Sequence, residues 1–277
     1  MLKKFDIINN CITVSDKSAS PILVYVNPDS AEKEFLIKNY NLDEHTLNSA
    51  LDPDEIARLE FEADHIALIF KRPRNYSSQE QFLFKVNSVG LFLFKDFLII
   101  VAPEECPLFE GKLFQKVGSL MDIVIKLINR TIYHFLEHLK IINMISSEIE
   151  QKVNSSMENK YLIHMFTLEK SLVYYLNSIN ANATVIEKLK NSALKIGIPT
   201  ESQELLEDLI IETNQCYKQA EIYSNILSSL MDARASIVNN NLNVLMKTLT
   251  KITLAVMVPT FVVSAFSMNV GIPFHNN

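Results

Sequence analysis

Apolar and polar positions follow three rhythms along this chain. Over about the first 105 residues, short apolar runs of strand length alternate with turn residues. Ile22-Leu-Val-Tyr-Val26 is apolar throughout, and four more runs follow at His65–Phe70, Gln81–Val86, Val89–Phe94 and Phe97–Ala102. Their length and β-branched or aromatic content predict strands. Only Lys95-Asp96 separates the last two runs, so those strands are expected as antiparallel neighbours. Two helix starts are expected in the same region. Asn27-Pro-Asp-Ser precedes a helix over Ala31–Tyr40, and Asp52-Pro-Asp-Glu55 has the N-cap acid, the proline at the first position and the glutamate at the third that open many helices.

The period then becomes helical. From Phe114 to Ser155, Leu120, Ile123, Leu127, Ile132, Phe135, Leu139, Ile142 and Ile145 recur at steps of three to five, and Asn154-Ser-Ser-Met-Glu-Asn159 interrupts the pattern. A second helix is expected from Tyr161 to Ala193, with Leu168, Leu172, Tyr175 and Ile179 on one stripe. Gly197-Ile-Pro-Thr-Glu201 ends it, with Thr200 placed to cap the helix that follows.

The third rhythm is one very long helix. Glu201 to Lys251 contains neither Pro nor Gly, and Ile252 to Phe274 contains no ionisable residue. The latter run exceeds the roughly 20 apolar residues that cross a bilayer core. Stalk and span together make about 65 residues, a rod of roughly 100 Å, longer than any element of a compact domain. The cytosolic part of the stalk has its own seven-residue stripe: Leu209, Cys216, Tyr223, Leu230 and Ile237. The expected class is α+β. A mixed α/β cytosolic domain (1–105) and a helical hairpin (106–200) precede a stalk helix (201–251), a transmembrane helix (252–267) and an extracytoplasmic segment (268–277).

Within the rod, Asn239, Asn243, Met246, Thr250, Thr253, Met257, Thr260, Ser264 and Ser267 follow one another at alternating steps of four and three. That is the seam of a parallel helix bundle, yet it carries small, polar or Met side chains, while Leu242, Leu245, Leu249, Ile252, Val256 and Val263 lie beside it or on other faces. Spacing alone serves two readings equally. Several copies could enclose a narrow channel lined by hydroxyls and thioethers, or the small polar residues could be glue between membrane helices.

Met231-Asp-Ala-Arg-Ala-Ser-Ile-Val-Asn-Asn-Asn-Leu-Asn-Val-Leu-Met-Lys247, the span after it and the terminal Met268-Asn269 resemble the pore helix of CorA-type divalent-cation channels. That family closes the helix with Gly-Met-Asn, where this chain has Ser267-Met268-Asn269. The resemblance implies a homopentamer in the inner or plasma membrane that passes hydrated Mg2+, with Co2+ or Ni2+ as further cargo and Mg2+ also as a regulatory ligand. It places the selectivity filter at Ser267, Met268 and Asn269, with Asn269 nearest the metal. It lines the pore with Asn243, Met246, Leu249, Thr253, Met257 and Thr260, of which Met246 and Leu249 form an apolar gate. Leu249 lies one residue off the seam, so its place rests on the resemblance. Asp208 matches a regulatory acid of the family, whereas the counterpart position, near Arg72 to Tyr76, holds no acid. The family also has a second transmembrane helix and a basic tail, so this chain is expected to be a piece of a two-span protein.

Mg2+ keeps its waters and prefers octahedral oxygen coordination. A ring of Asn carbonyls can therefore accept hydrogen bonds from the hydrated ion without stripping it. The balance of 26 Lys and Arg against 32 Asp and Glu, a net charge of −6, gives no basic footprint for nucleic acid. No apolar core follows Met1-Leu-Lys-Lys, so a secretory signal is not expected and the N-terminal body reads as cytosolic. Lys247 and Lys251 just before the span agree with that orientation. No Gly-rich phosphate loop follows a strand. Cys11, Cys106 and Cys216 are isolated and read as small buried hydrophobes. His134-Phe-Leu-Glu137-His138 matches an inverted zinc-protease pattern, yet no third ligand is suggested; a surface or subunit-contact pair is the simpler expectation. His45, His65, His164 and His275 stand alone, so no enzyme is expected. The alternatives to Mg2+ uptake are Zn2+ efflux of the related ZntB type, a non-conducting membrane-tethered regulator, and an oligomeric scaffold or zinc enzyme using His134 and His138.

Overall fold

The computed structural model describes residues 1–17, 19–76, 82–155 and 159–267. Seven strands form one sheet in the order β2-β1-β3-β7-β6-β5-β4: β1 (Leu2–Ile8), β2 (Cys11–Val14), β3 (Ile22–Val26), β4 (Arg58–Phe61), β5 (His65–Pro73), β6 (Val86–Phe94) and β7 (Leu98–Ala102). Every neighbouring pair is antiparallel except β3 and β7, which run parallel with Val24 opposite Ile100.

The central strands are apolar on both faces because both faces are covered. Ile22 and Val24 of β3, with Leu98 and Ile100 of β7, pack into one core with Ile123, Leu127, Ile186, Leu206 and Leu209 of the long helices. The alternate residues Leu23, Tyr25, Ile99 and Val101 enter a second core with Leu36, Leu42, Leu47 and Ala50. This second core is roofed by α1 (Ser30–Tyr40) and α2 (Glu44–Ser49). The α1 start is as expected: Asp29 caps it, accepting the Glu32 amide at 2.8 Å, while the Glu32 carboxylate takes the Asp29 amide. The β6–β7 hairpin also forms as expected, closed by the Phe94 amide on the Phe97 carbonyl.

Two expectations near the sheet are corrected. Asp52-Pro-Asp-Glu55 opens no helix; a preceding helix, α2, is capped by Asp43 instead, and residues 51–55 form a turn. The buried Lys71 ammonium holds that turn, donating to the Pro53 and Glu55 carbonyls at 2.6 Å and to the Ser88 hydroxyl at 3.0 Å. Ser88 in turn donates to the Asp52 carbonyl. A cation from β5 thus takes carbonyls that a helix would have used. Phe82 to Lys85 are not a strand: Phe82 has φ of +69°, and the Phe84 amide bonds the Ser171 hydroxyl instead of a ladder partner. Gln81 lies outside the described residues, and β6 runs unbroken through Val86–Phe94. Strands β1, β2 and β4 were not expected. The first two meet at Asn9 and Asn10, both at positive φ, which is the backbone of a tight two-residue hairpin turn.

The long helices follow the expected stripes. A short 3₁₀ helix (Lys112–Gln115) takes up Phe114, and α3 (Leu120–Ser155) begins only after Gly118 and Ser119, whose hydroxyl accepts the Asp122 amide. Helix α4 (Asn159–Asn191) buries Leu168, Leu172, Tyr175 and Ile179. A single turn, α5 (Ala193–Ile196), ends at Gly197, whose φ of +77° lets the chain reverse. Helix α6 (Thr200–Phe266) is one uninterrupted element of 67 residues that passes through Pro259. Thr200 is its first helical residue and not its cap: the Pro199 carbonyl accepts the Ser202 and Gln203 amides. The chain divides into two compact units, Met1–Leu227 and Ser228–Asn277, and α6 belongs to both.

Candidate functional site

In the first unit, α6 behaves as an ordinary amphipathic helix. Leu206, Leu209, Thr213, Cys216, Ala220 and Leu227 are buried, a stripe at the spacing of one helix face. From Ser228 to Ser267 no described residue is buried. Leu242, Leu245, Leu249, Ile252, Val256, Val263 and Phe266 are all exposed, the last at 75%. An exposed apolar surface of this extent marks a partner surface or a membrane. Helix α6 is also long and apolar enough to cross a bilayer, with none of its apolar window buried.

Asn243, Met246, Leu249, Thr253, Met257 and Thr260 all lie on this part of α6 and all are exposed. The seam hydroxyls bond back along the helix: Thr250 to the Met246 carbonyl at 2.8 Å, Thr253 to Leu249 at 2.9 Å and Thr260 to Val256 at 2.7 Å. Ser267 closes the last turn twice, its amide on the Val263 carbonyl at 3.0 Å and its hydroxyl on the same carbonyl at 2.8 Å. Met268 and Asn269 lie outside the described residues.

Asp208 is exposed on α6. Across from that helix, Tyr133 of α3 donates to Glu212 at 2.9 Å. In the Arg72–Tyr76 stretch, Arg72 is buried and Arg74 pairs with Glu104 at 2.9 Å, so the stretch supplies cations and not a second carboxylate.

The His134–His138 pair is corrected from surface to core. Both rings are buried on α3, with centroids 4.4 Å apart, and His138 Nδ1 lies 2.6 Å from the Tyr175 hydroxyl. Burial, with His138, Arg72 and Arg130 nearby, pushes His134 down to about 3. Burial likewise pushes His138 down to about 4, against the opposing pull of Glu137. Glu137 itself bonds Arg130 at 3.2 Å on the exposed side of the helix. Among the described residues no group of three or more His, Cys, Asp or Glu side chains could hold a metal ion. Both rings pack in the core beside Tyr175, and burial holds them below the ordinary histidine range. Of the cysteines only Cys216 is fully buried; Cys11 and Cys106 are half-buried.

Sequence reasoning passed over Asn182. It is a lone amide on the apolar stripe of α4, at 1% exposure, and it bonds the backbone of Lys71 twice: accepting its N–H at 2.8 Å and donating to its carbonyl at 2.7 Å. Strand β4 pairs β5 only as far as Arg58 opposite Ile69. Beyond that point the Asn182 amide stands in for the missing strand. The signal was an amide three positions after Ile179 and four before Ile186, on a stripe whose other buried polar residues are the small Ser171 and Ser178.

A model of the family described as CorA-like Mg2+ transporter protein matches residues 22–277. The cobalt/magnesium transport protein CorA of Methanocaldococcus jannaschii is 26% identical over 266 residues, which cover 91% of this chain and 80% of that protein. The complete structure of the CorA magnesium transporter from Methanocaldococcus jannaschii matches with a TM-score of 0.82 at 23% identity, over 100% of this chain and 89% of that one. The ZntB cytoplasmic domain from Vibrio parahaemolyticus matches with a TM-score of 0.67 at 14% identity, over 86% of this chain and 98% of that domain. The structural likenesses are of fold; the family match spans all the long helices and the apolar run, and by it the chain belongs to the family of CorA-like Mg2+ transporter proteins.

Proposed function

We propose that this chain forms, as a homopentamer, a membrane channel for hydrated divalent cations with Mg2+ as its main cargo and its N-terminal body in the cytosol. The observation that carries the reading is the second half of α6: an apolar helix in which no described residue is buried, with a continuous seam of polar and Met side chains along one face. Apolar flanks suit lipid, while a polar seam inside a membrane suits a bundle interior or water. The magnesium and cobalt named for the archaeal relative favour Mg2+ over the Zn2+ efflux reading, to which the ZntB domain lends its fold alone.

In this proposal Ser267, Met268 and Asn269 form the selectivity filter. The Asn269 carbonyls accept hydrogen bonds from the ion's waters, so that Mg2+ need not shed its shell. Asn243, Thr253, Met257 and Thr260 line the path. Met246 and Leu249 form an apolar constriction that gates by staying dry. For regulation by cytosolic Mg2+ the chain offers Asp208, exposed on α6.

The test is Mg2+ flux into liposomes bearing the full-length protein, with external Co2+ as competitor. Uptake suppressed by Co2+, and abolished in an Asn269→Ala variant that still assembles, is the expected result. Absence of uptake by the intact oligomer would refute conduction and leave a membrane-tethered regulator. Unchanged uptake by the variant would remove the filter assignment.

A further inference from the structure

Arg72 stands at a position where the sheet favours an apolar residue. Along β5 it follows Leu68 and Phe70 on the face that packs against the long helices, and both of those lie in the core. Arg72 is itself only 8% exposed. It lies directly opposite Asn87 of β6, so the two side chains share that face. An arginine cannot shed its charge as a buried lysine or histidine can, and all of its polar hydrogens are donors. A charge buried to this depth ordinarily meets a carboxylate. Among the described residues Arg72 meets none: it forms no ion pair, and none of its donors is bonded to an oxygen.

The guanidinium lines a cleft of about 10 Å³ at the ends of β5 and β7, room for one atom-sized occupant. The amides of Asn75 and Asn87 stand around it, and each can donate N–H bonds. Two groups in the lining could oppose the charge of Arg72, and neither does. Glu104 is paired with Arg74 at 2.9 Å. Burial pushes the Cys106 thiol up, with Arg72 beside it pulling the other way, so the sulfur keeps its proton and carries no charge. The field of Arg72 also reaches His134, whose Nδ1 is buried without a partner.

We propose that this cleft is a chloride site, in which a single halide ion rests on the Arg72 guanidinium and takes further hydrogen bonds from the Asn75 and Asn87 amides. A cation would be repelled there, and phosphate or sulfate is too large for the room. Water fits but leaves the charge unopposed. The site lies within the unit Met1–Leu227 and is independent of cation conduction, since it rests on burial, charge and available space.

The experiment uses the full-length protein in detergent, exchanged into sodium gluconate. Equilibrium dialysis against radiolabelled chloride at constant ionic strength measures binding. Circular dichroism follows the unfolding temperature as chloride, bromide or inorganic phosphate replaces gluconate. Wild type is expected to bind one chloride per chain, with a saturable rise in unfolding temperature that bromide reproduces and phosphate does not. Arg72→Met and Arg72→Gln should each weaken chloride binding at least about tenfold and lose the chloride-dependent rise. In gluconate both should unfold no lower than wild type, because there they remove an unopposed buried charge. Arg130→Gln is the control: that arginine also lies near His134 but is bonded to Glu137 at 3.2 Å, so its loss should leave chloride binding unchanged. Wild type that binds no chloride, or Arg72 variants that bind it within about twofold of wild type, would overturn the assignment. So would a rise with phosphate equal to that with chloride. Variants that unfold well below wild type in gluconate would show that Arg72 serves packing, and would overturn it too.

Discussion

Removing the Asn182 side chain tests how the long helices are fastened to the sheet. In Asn182→Ala both the N–H and the carbonyl of Lys71 lose their partners, at 2.8 and 2.7 Å, in a place where the amide itself is 1% exposed. An unsatisfied buried backbone group costs roughly 1–3 kcal/mol, so two of them cost roughly 2–6 kcal/mol. With partial rescue by water entering the space left by the amide, about 3 kcal/mol is the expected loss. That is a large part of the roughly 5–15 kcal/mol that holds a typical fold together. It also bears on one strand, so the effect should be local. Amide exchange followed by mass spectrometry on the full-length protein should show peptides containing Lys71 exchanging about a hundredfold faster, while peptides from β3 and β7 change little. Asn182→Asp should be no better, because a carboxylate accepts the Lys71 N–H but sets an oxygen against its carbonyl. Exchange at Lys71 within about twofold of wild type would refute the reasoning, since the amide would then be replaceable by water at no cost.

Stability should fall with acid through the His134–His138 pair. Both have folded values below the ordinary 6.5, at about 3 and about 4, so the unfolded chain binds more protons in between. The contribution is fully present above about pH 6.5 and is lost as pH falls toward 4 and 3, by up to about 1.4 kcal/mol per pH unit for each ring. Urea midpoints of the protein at pH 7.5 and 5 should differ, and a His138→Gln variant should flatten the slope; equal midpoints would contradict the burial of these rings. At Gly90 an added Cβ would lie 2.6 Å from Ala50 Cβ, where α2 ends against β6. Gly90→Ala should therefore destabilise by about 1–3 kcal/mol, read as a lower melting temperature, and Ala50→Gly in the same chain should return part of it.

What could be read from the sequence depended on whether the deciding partner was near in the chain. Ile22–Val26 and the run ending at Ala102 were legible because strands buried on both faces need apolar residues at every position, and that requirement is local. Strand β1 was not legible, because Lys3, Lys4 and Asp6 break its apolar run toward the edge of the sheet. The Asn9-Asn10 turn that joins it to β2 is a legible hairpin signal that went unused. The Asp52–Glu55 turn carried a sound local helix signal, which Lys71 overrode from β5, sixteen or more residues further along the chain. At the candidate site, the seam was legible as a period. The burial of His134 and His138 was not, because exposed Glu137 between them made their face look solvated.

The same helix obeys two different rules along its length, and the proposed function is built on that change. Up to Leu227, α6 buries an aliphatic stripe and a cysteine, as any helix of a water-soluble core does. After Ser228 it keeps its regularity while none of its described residues is buried: Leu, Ile, Val and Phe side chains stand more than half exposed along Leu242, Leu245, Ile252, Val256, Val263 and Phe266. In water such a surface would associate until it was covered. A bilayer covers the apolar flanks, and because every backbone group inside a helix is already bonded, the helix enters hydrocarbon without an unsatisfied amide beyond the one carbonyl released by Pro259. Lipid gains nothing from Asn243, Thr253 or Thr260, however, and polar side chains at bilayer depth are placed where they meet protein or water. In the proposed channel lipid takes the flanks and other copies of the same helix take the seam. A closed ring of such helices would satisfy both demands with one sequence, and the proposed path runs down its axis.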